Sequence, residues 1–149
     1  MHLKDMRSET TVAFGISATL SGTTPAAGNI VDVTDYQSAT FAFQTGTVTD
    51  AGDATGFRVE IQESDTTAAA DFTAVADADL IGLETELTVT LDTADNIAIG
   101  SIGYRGVKRY VRAVVTGSTG SNAVVNGLWL LQGPRYAPKG NAAGNIAAT

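Results

Sequence analysis

Few residues in this chain are spaced to act together chemically. Asp77-Ala78-Asp79 and Asp50-Ala51-Gly52-Asp53 are the tightest carboxylate groups. Alternate acids in a loop can supply some of the oxygens that a calcium ion takes at about 2.3–2.6 Å, but neither group has the calcium-loop spacing with its terminal glutamate. A carboxylate pair for glycoside hydrolysis needs a cleft lined with aromatics, and 5 Phe, 4 Tyr and 1 Trp are what the core itself requires. Solvated turns that keep sheet edges soluble are the simpler reading of both groups. Gly100-Ser101-Ile102-Gly103-Tyr104-Arg105-Gly106 sets three glycines beside a base. It lacks the lysine-serine/threonine ending of a phosphate-binding loop, and no helix follows to offer its N-terminus, so the glycines read as turning the chain between strands.

Lys108, Arg109 and Arg112, with Tyr104 and Tyr110, make the one basic and aromatic cluster. Arginine beside tyrosine can stack on a base or a sugar, but long side chains lying over a sheet and pairing with acidic strands account for the same residues. The single histidine is His2, and there is no cysteine. Disulfides, thiolate metal sites and cysteine nucleophiles are thereby excluded, and a histidine-based triad or zinc site has too few ligands. No nucleophile stands beside a base. The expectation is a protein that is not an enzyme and holds no metal or cofactor.

The 149 residues suit one domain, and 9 bases against 16 acids give a formal charge of −7. An acidic balance argues against nucleic acid as a partner, because phosphate contacts need a basic face. No stretch approaches the roughly 18–20 apolar residues of a membrane span, and no apolar region follows the charges of the N-terminus as a secretory signal requires. Synthesis in a cytoplasm is therefore expected, with no membrane partner. Charge is uneven along the chain. Residues 50–104 carry twelve acids and Arg58 alone, while residues 105–149 carry six bases and no acid. Such blocks can pair within the chain across adjacent strands, or between copies.

The elements that must hold these groups read as strands. Ser38 to Gln44 alternates with Ala39, Phe41 and Phe43 on one face, and Phe57 to Glu63 with Phe57, Val59 and Ile61 inward. Thr85 to Leu91 alternates too, with Leu87, Val89 and Leu91 together. Val107 to Thr116 and Asn122 to Leu131 read as a long hairpin around the turn at residues 116–121. Thr11 to Leu20 and Asn29 to Val33 add weaker strands. Ala68 to Phe72 suits a single helical turn, and no window keeps the 3.6-residue period of a longer helix. The fold class expected is all-β: a single antiparallel β-sandwich, or jelly-roll-like domain, over residues 11–138, with extended arms at 1–10 and 139–149. The predicted core includes Phe41, Phe43, Phe57, Val59, Ile61, Leu87, Val89, Val111, Leu128 and Leu130.

Several runs, taken in order, resemble a group of small virion proteins of tailed bacteriophages. They are Val31-Asp32, Tyr36 to Phe41, Gly46 with Val48-Thr49-Asp50, Gln62 to Asp65, Ala78 to Gly82, Ile102 to Arg112, the Gly117 to Gly120 turn, and Gly133 to Pro138. The resemblance covers roughly residues 29–138. It implies a head decoration, or cement, protein on the outer surface of the capsid, bound to the major capsid protein and stapling capsomers. It also implies self-association, with a homotrimer favoured. Separated charge gives one means: Arg105, Lys108, Arg109 or Arg112 of one copy meeting Glu60, Glu63, Glu84 or Glu86 of the next. For capsid attachment the N-terminal arm offers His2, Leu3 and Met6 as apolar contacts and Lys4 and Arg7 for acidic partners. Two alternatives accompany this reading: a neck, tail or vertex-turret adaptor, and a glycan-binding sandwich using Tyr104, Tyr110 or Trp129 as a stacking platform.

Overall fold

The computed structural model describes residues 6–136. Within them ten strands follow one another: β1 (Thr10–Ser21), β2 (Ala26–Ala27), β3 (Val31–Asp32), β4 (Tyr36–Asp50), β5 (Arg58–Ser64), β6 (Thr73–Ala74), β7 (Leu80–Ile81), β8 (Ala98–Tyr104), β9 (Tyr110–Thr116) and β10 (Asn122–Pro134). A helical turn, Met6–Glu9, precedes β1, and 3-10 turns occupy Ala69–Asp71, Asp77–Asp79 and Glu84–Leu87. One sheet has the order β1-β10-β4-β8-β7 and the other β2-β9-β5-β6, with β3 also on β9; all pairings are antiparallel. The two sheets pack as an all-β sandwich, with the core between them.

That core follows from strand periodicity. Ala39, Phe41 and Phe43 of β4 point inward, as do Val59 and Ile61 of β5 and Val111, Ala113 and Val115 of β9. At its centre the Phe41 ring lies 5.2 Å from Trp129 and 6.2 Å from Phe43. Glycines make room for it. A Cβ on Gly127 would fall 2.2 Å from the Phe41 ring, and one on Gly15 would meet the same ring at 2.8 Å and the Gly127 carbonyl at 2.7 Å. The β1–β10 register slips between Phe14 and Ile16, where Gly15 sits. The bulge carries the strand past the ring without a clash.

Three expectations need correction. Leu128 and Leu130 face outward, and Trp129 and Leu131 fill the core instead. Both alternating sets of Leu128-Trp129-Leu130-Leu131 are apolar, so pattern alone cannot choose a face; burying the indole opposite Phe41 decides it. Thr85 to Leu91 is not a strand, and Leu91 is 65 % exposed. The Glu84 carboxylate accepts the Ile61 N–H at 2.6 Å, taking the place on β5 that a pairing carbonyl would fill, and Val89 makes one isolated bridge to Phe57. Leu87 and Val89 are nonetheless buried.

The third concerns the expected hairpin. β9 pairs β5 in one sheet while β10 lies between β1 and β4 in the other, so the turn between them changes sheets. Its glycine-serine chemistry specifies a reversal, and the tertiary contacts specify where the chain goes. Ser118 N–H donates to Ser121 Oγ, which donates to the Ala51 carbonyl, while Asp53 N–H donates to Ser118 Oγ. These buried hydroxyls tie the turn to the loop that follows β4.

Candidate interaction surface

The basic run ends in a fixed loop. Arg105 to Arg109 joins β8 to β9 and folds back over Tyr104, whose ring is so close to Gly106 that a Cβ there would lie 2.5 Å from the hydroxyl oxygen. The Tyr104 hydroxyl donates to Glu63 Oε2 at 2.6 Å and accepts the Lys108 N–H at 3.0 Å. Burial, followed by the bond to Glu63, pushes the phenol well above its usual range, so it stays a donor. Lys108 Nζ pairs with Asp65, and Arg109 holds Asp32 Oδ2 through Nε and Nη2 at 3.0 and 2.8 Å. Burial works to raise the Asp32 carboxyl, yet hydrogen bonds from Arg109 and Thr34 outweigh it and leave the group below its usual value. The Lys108 ammonium holds Asp65 down in the same way. What the loop projects is Val107, 95 % exposed, beside Arg105. Under it runs a cleft of about 450 Å³ walled by Tyr36, Gln37, Tyr104 and Lys108.

The other residues expected at a subunit contact are dispersed. Arg112 lies on the outer side of β9, with its Nε on Gln62 Oε1 at 2.8 Å and its guanidinium 4.4 Å over the Phe72 ring. Glu60 accepts from Gln62 Nε2 and Glu86 from the Leu83 N–H. Half-buried Glu84 is raised above the ordinary carboxylate value, by burial first and by the charges of Glu60 and Asp77 beyond it, against the hydrogen bond from Ile61. Of the four bases, Arg105 alone makes no side-chain hydrogen bond or ion pair with the described residues.

The acid groups serve the loops. Asp50 and Asp53 accept N–H bonds from Gly52 and Thr55, and Asp92 and Asp95 accept from Ala51 and Val48 at the same end of the sandwich. Asp77 and Asp79 sit in a 3-10 turn. Among the described residues, no three groups of metal-ligating type converge. The stacking platform is overturned at two of its three positions, since Trp129 is fully buried and Tyr104 is nearly so. Tyr110 is half-buried, with the Arg109 guanidinium 5.0 Å over its ring.

Of the arm residues, His2, Leu3 and Lys4 lie outside the described residues. Met6, 62 % exposed, and Arg7 stand in the turn Met6–Glu9, which packs on β1 and β10. Thr10 is in register with Gln132, Gln132 with Ser38, and Ala39 with Tyr104. The chain therefore enters β1 at the same end of the sandwich as the Val107 loop.

One surface went unnoticed in the sequence. β1, β10, β8 and β7 contain no charged residue, and β4 has only Asp50 at its end. The outer face of this sheet centres on Val12, Phe14, Leu128, Leu130 and Ala42, rimmed by Ser, Thr, Asn and Gln. Phe14 lies opposite Leu128 and Val12 opposite Leu130, forming an apolar ridge. Beside it a groove of about 350 Å³ runs between Ser17, Gln44, Ala98 and Asn126. The signal was present as a gap in the charge pattern, visible once the strands are known to be neighbours. No family model, curated protein or solved structure matches the chain.

Proposed function

We propose that this chain is a decoration protein of a tailed-bacteriophage head, made in the bacterial cytoplasm. It binds the major capsid protein on the outer surface of the virion and ties neighbouring capsomers together. Beyond the resemblance of its sequence, one observation supports the reading: the entry to β1 and the projecting Val107 loop share one end of the sandwich. That end combines a fixed contact with an extension. A loop pinned by Tyr104, Lys108 and Arg109 loses little freedom on docking, so its contacts with a partner are not offset by ordering. Ahead of the Met6–Glu9 turn stand five more residues; fully extended, five residues would span at most about 16–18 Å, a reach onto the partner surface beside that end.

The test uses heads of the phage that carries the gene, assembled with that gene deleted. Purified chain mixed with them is expected to cosediment, and to saturate at a copy number near that of the major capsid protein. Deleting residues 1–9 is expected to weaken occupancy sharply. Absence of cosedimentation would overturn the proposal. Saturation at a small fraction of the capsid protein would move the protein to the neck, the tail or a vertex.

A further inference from the structure

We infer that the uncharged outer face of the β1-β10-β4-β8 sheet binds a second copy of this chain, face to face about a two-fold axis. The inference does not rest on the capsid reading. The first argument is charge. Each copy carries −7, and a two-fold contact sets every residue of a patch near the same patch of its partner, so a charged patch meets its own sign. The sheet whose long strands carry no charge but the terminal Asp50 is the surface on which two such molecules meet without that penalty. The other sheet puts Arg58, Glu60 and Arg112 on its strands.

The second argument is area. β1, β10 and β4 have 12, 13 and 15 residues. At about 3.3 Å per residue and 4.8 Å per strand they cover roughly 40 Å by 14 Å, and β8 adds about 100 Å². Two copies together give about 1,300 Å² of footprint, inside the range of about 1,200–2,000 Å² that specific complexes bury. The third argument is shape. The Phe14–Leu128 ridge and the groove beside it, between Ser17 and Ala98, lie on one face. A two-fold rotation seats the ridge of each copy along the groove of the other. Lys108 and Arg109 are already paired within the chain, and Arg105 follows the last residue of β8 at one end of the sheet, so a contact centred on Phe14 and Leu128 differs from one built on charge.

The experiment is sedimentation equilibrium on the full chain, at low and high salt, with two variants. Leu128 is 45 % exposed, so Leu128→Lys leaves the core intact, which an unchanged melting temperature of the monomer checks. The native chain is expected to be a dimer whose dissociation constant moves little with salt. Leu128→Lys, which sets two ammonium groups on the shared face, is expected to raise that constant by about 100-fold or more, and Arg105→Glu to leave it unchanged. A monomer up to about millimolar concentration would overturn the inference. So would a trimer that salt and Arg105→Glu dissolve and Leu128→Lys does not. If the chain is a monomer and Leu128→Lys abolishes its binding to undecorated heads, the face belongs to the capsid contact: the self-contact falls and the capsid reading stands.

Discussion

Replacing Tyr104 by Phe removes one oxygen atom from the point on which the projecting loop turns. The ring stays buried, so the change isolates the hydroxyl from the packing. Two hydrogen bonds go: the donation to the Glu63 carboxylate at 2.6 Å and the acceptance from the Lys108 N–H at 3.0 Å. A bond to a charged group contributes about 1.5–3 kcal/mol and a neutral one about 0.5–1.5 kcal/mol. Glu63 is half-buried and Lys108 exposed, so water replaces part of both, and a net loss of about 2–3 kcal/mol is expected. In a chain of this length that lowers the melting temperature by about 4–12 °C. The assay is urea unfolding at constant m-value, with Glu63→Gln as control because its amide oxygen still accepts; that variant is expected to lose about half as much. The phenol adds an independent check. Its pKa is raised on folding above the ordinary 10.0, so above that pH the unfolded chain releases a proton that the folded chain keeps. Stability of the native protein therefore falls as pH rises past about 10, and Tyr104→Phe is expected to lose that contribution to the slope. A loss below about 0.5 kcal/mol, with an unaltered alkaline slope, would refute the assignment of the loop's rigidity to this hydroxyl.

Two further outcomes follow from the packing and the charges. Trp129→Ala is expected to cost about 3–5 kcal/mol in urea unfolding, and Leu128→Ala less than about 1 kcal/mol, the reverse of what strand pattern alone implies. For Glu84 the raised pKa means the folded state binds the proton more tightly, so the native chain loses stability as pH rises from about 4.5 through the higher folded value. Glu84→Gln keeps an acceptor for Ile61; it is expected to unfold at higher urea than the native chain at pH about 7 and at the same urea below pH about 4.

Sequence pattern sufficed wherever alternation was one-sided. Phe57, Val59 and Ile61 alternate with Arg58, Glu60 and Gln62, and only one set can be buried. It failed where both sets were apolar, as in Leu128 to Leu131, because the choice rests on Phe41, nearly ninety residues away. It failed again at Thr85 to Leu91, where Glu84 occupies the edge of β5 through its side chain, a partner that no period reports. Of the candidate site, the charge blocks were legible in sequence. That Lys108 and Arg109 are paired at home depends on bringing Asp65 and Asp32 to the same end of the sandwich. The uncharged sheet face was hidden for the same reason: it is assembled from β1, β10, β4 and β8, which are not consecutive.

The position of β10 also sets a schedule for synthesis. Thr10 pairs with Gln132, and β10 separates β1 from β4, so of the described strands the earliest to leave the ribosome is joined to its sheet by the latest. At about 5–20 residues per second, β1 waits roughly 5–25 s for its partner, twelve residues long and without one charge to repel another strand. During that interval β4 and β8 can pair while the place between β4 and β1 stays open, and nascent chains on one message offer each other the same uncharged strand. Slower translation of the codons for β10 lengthens this exposure without altering the finished molecule, so the yield of folded protein is expected to fall as elongation through that strand slows.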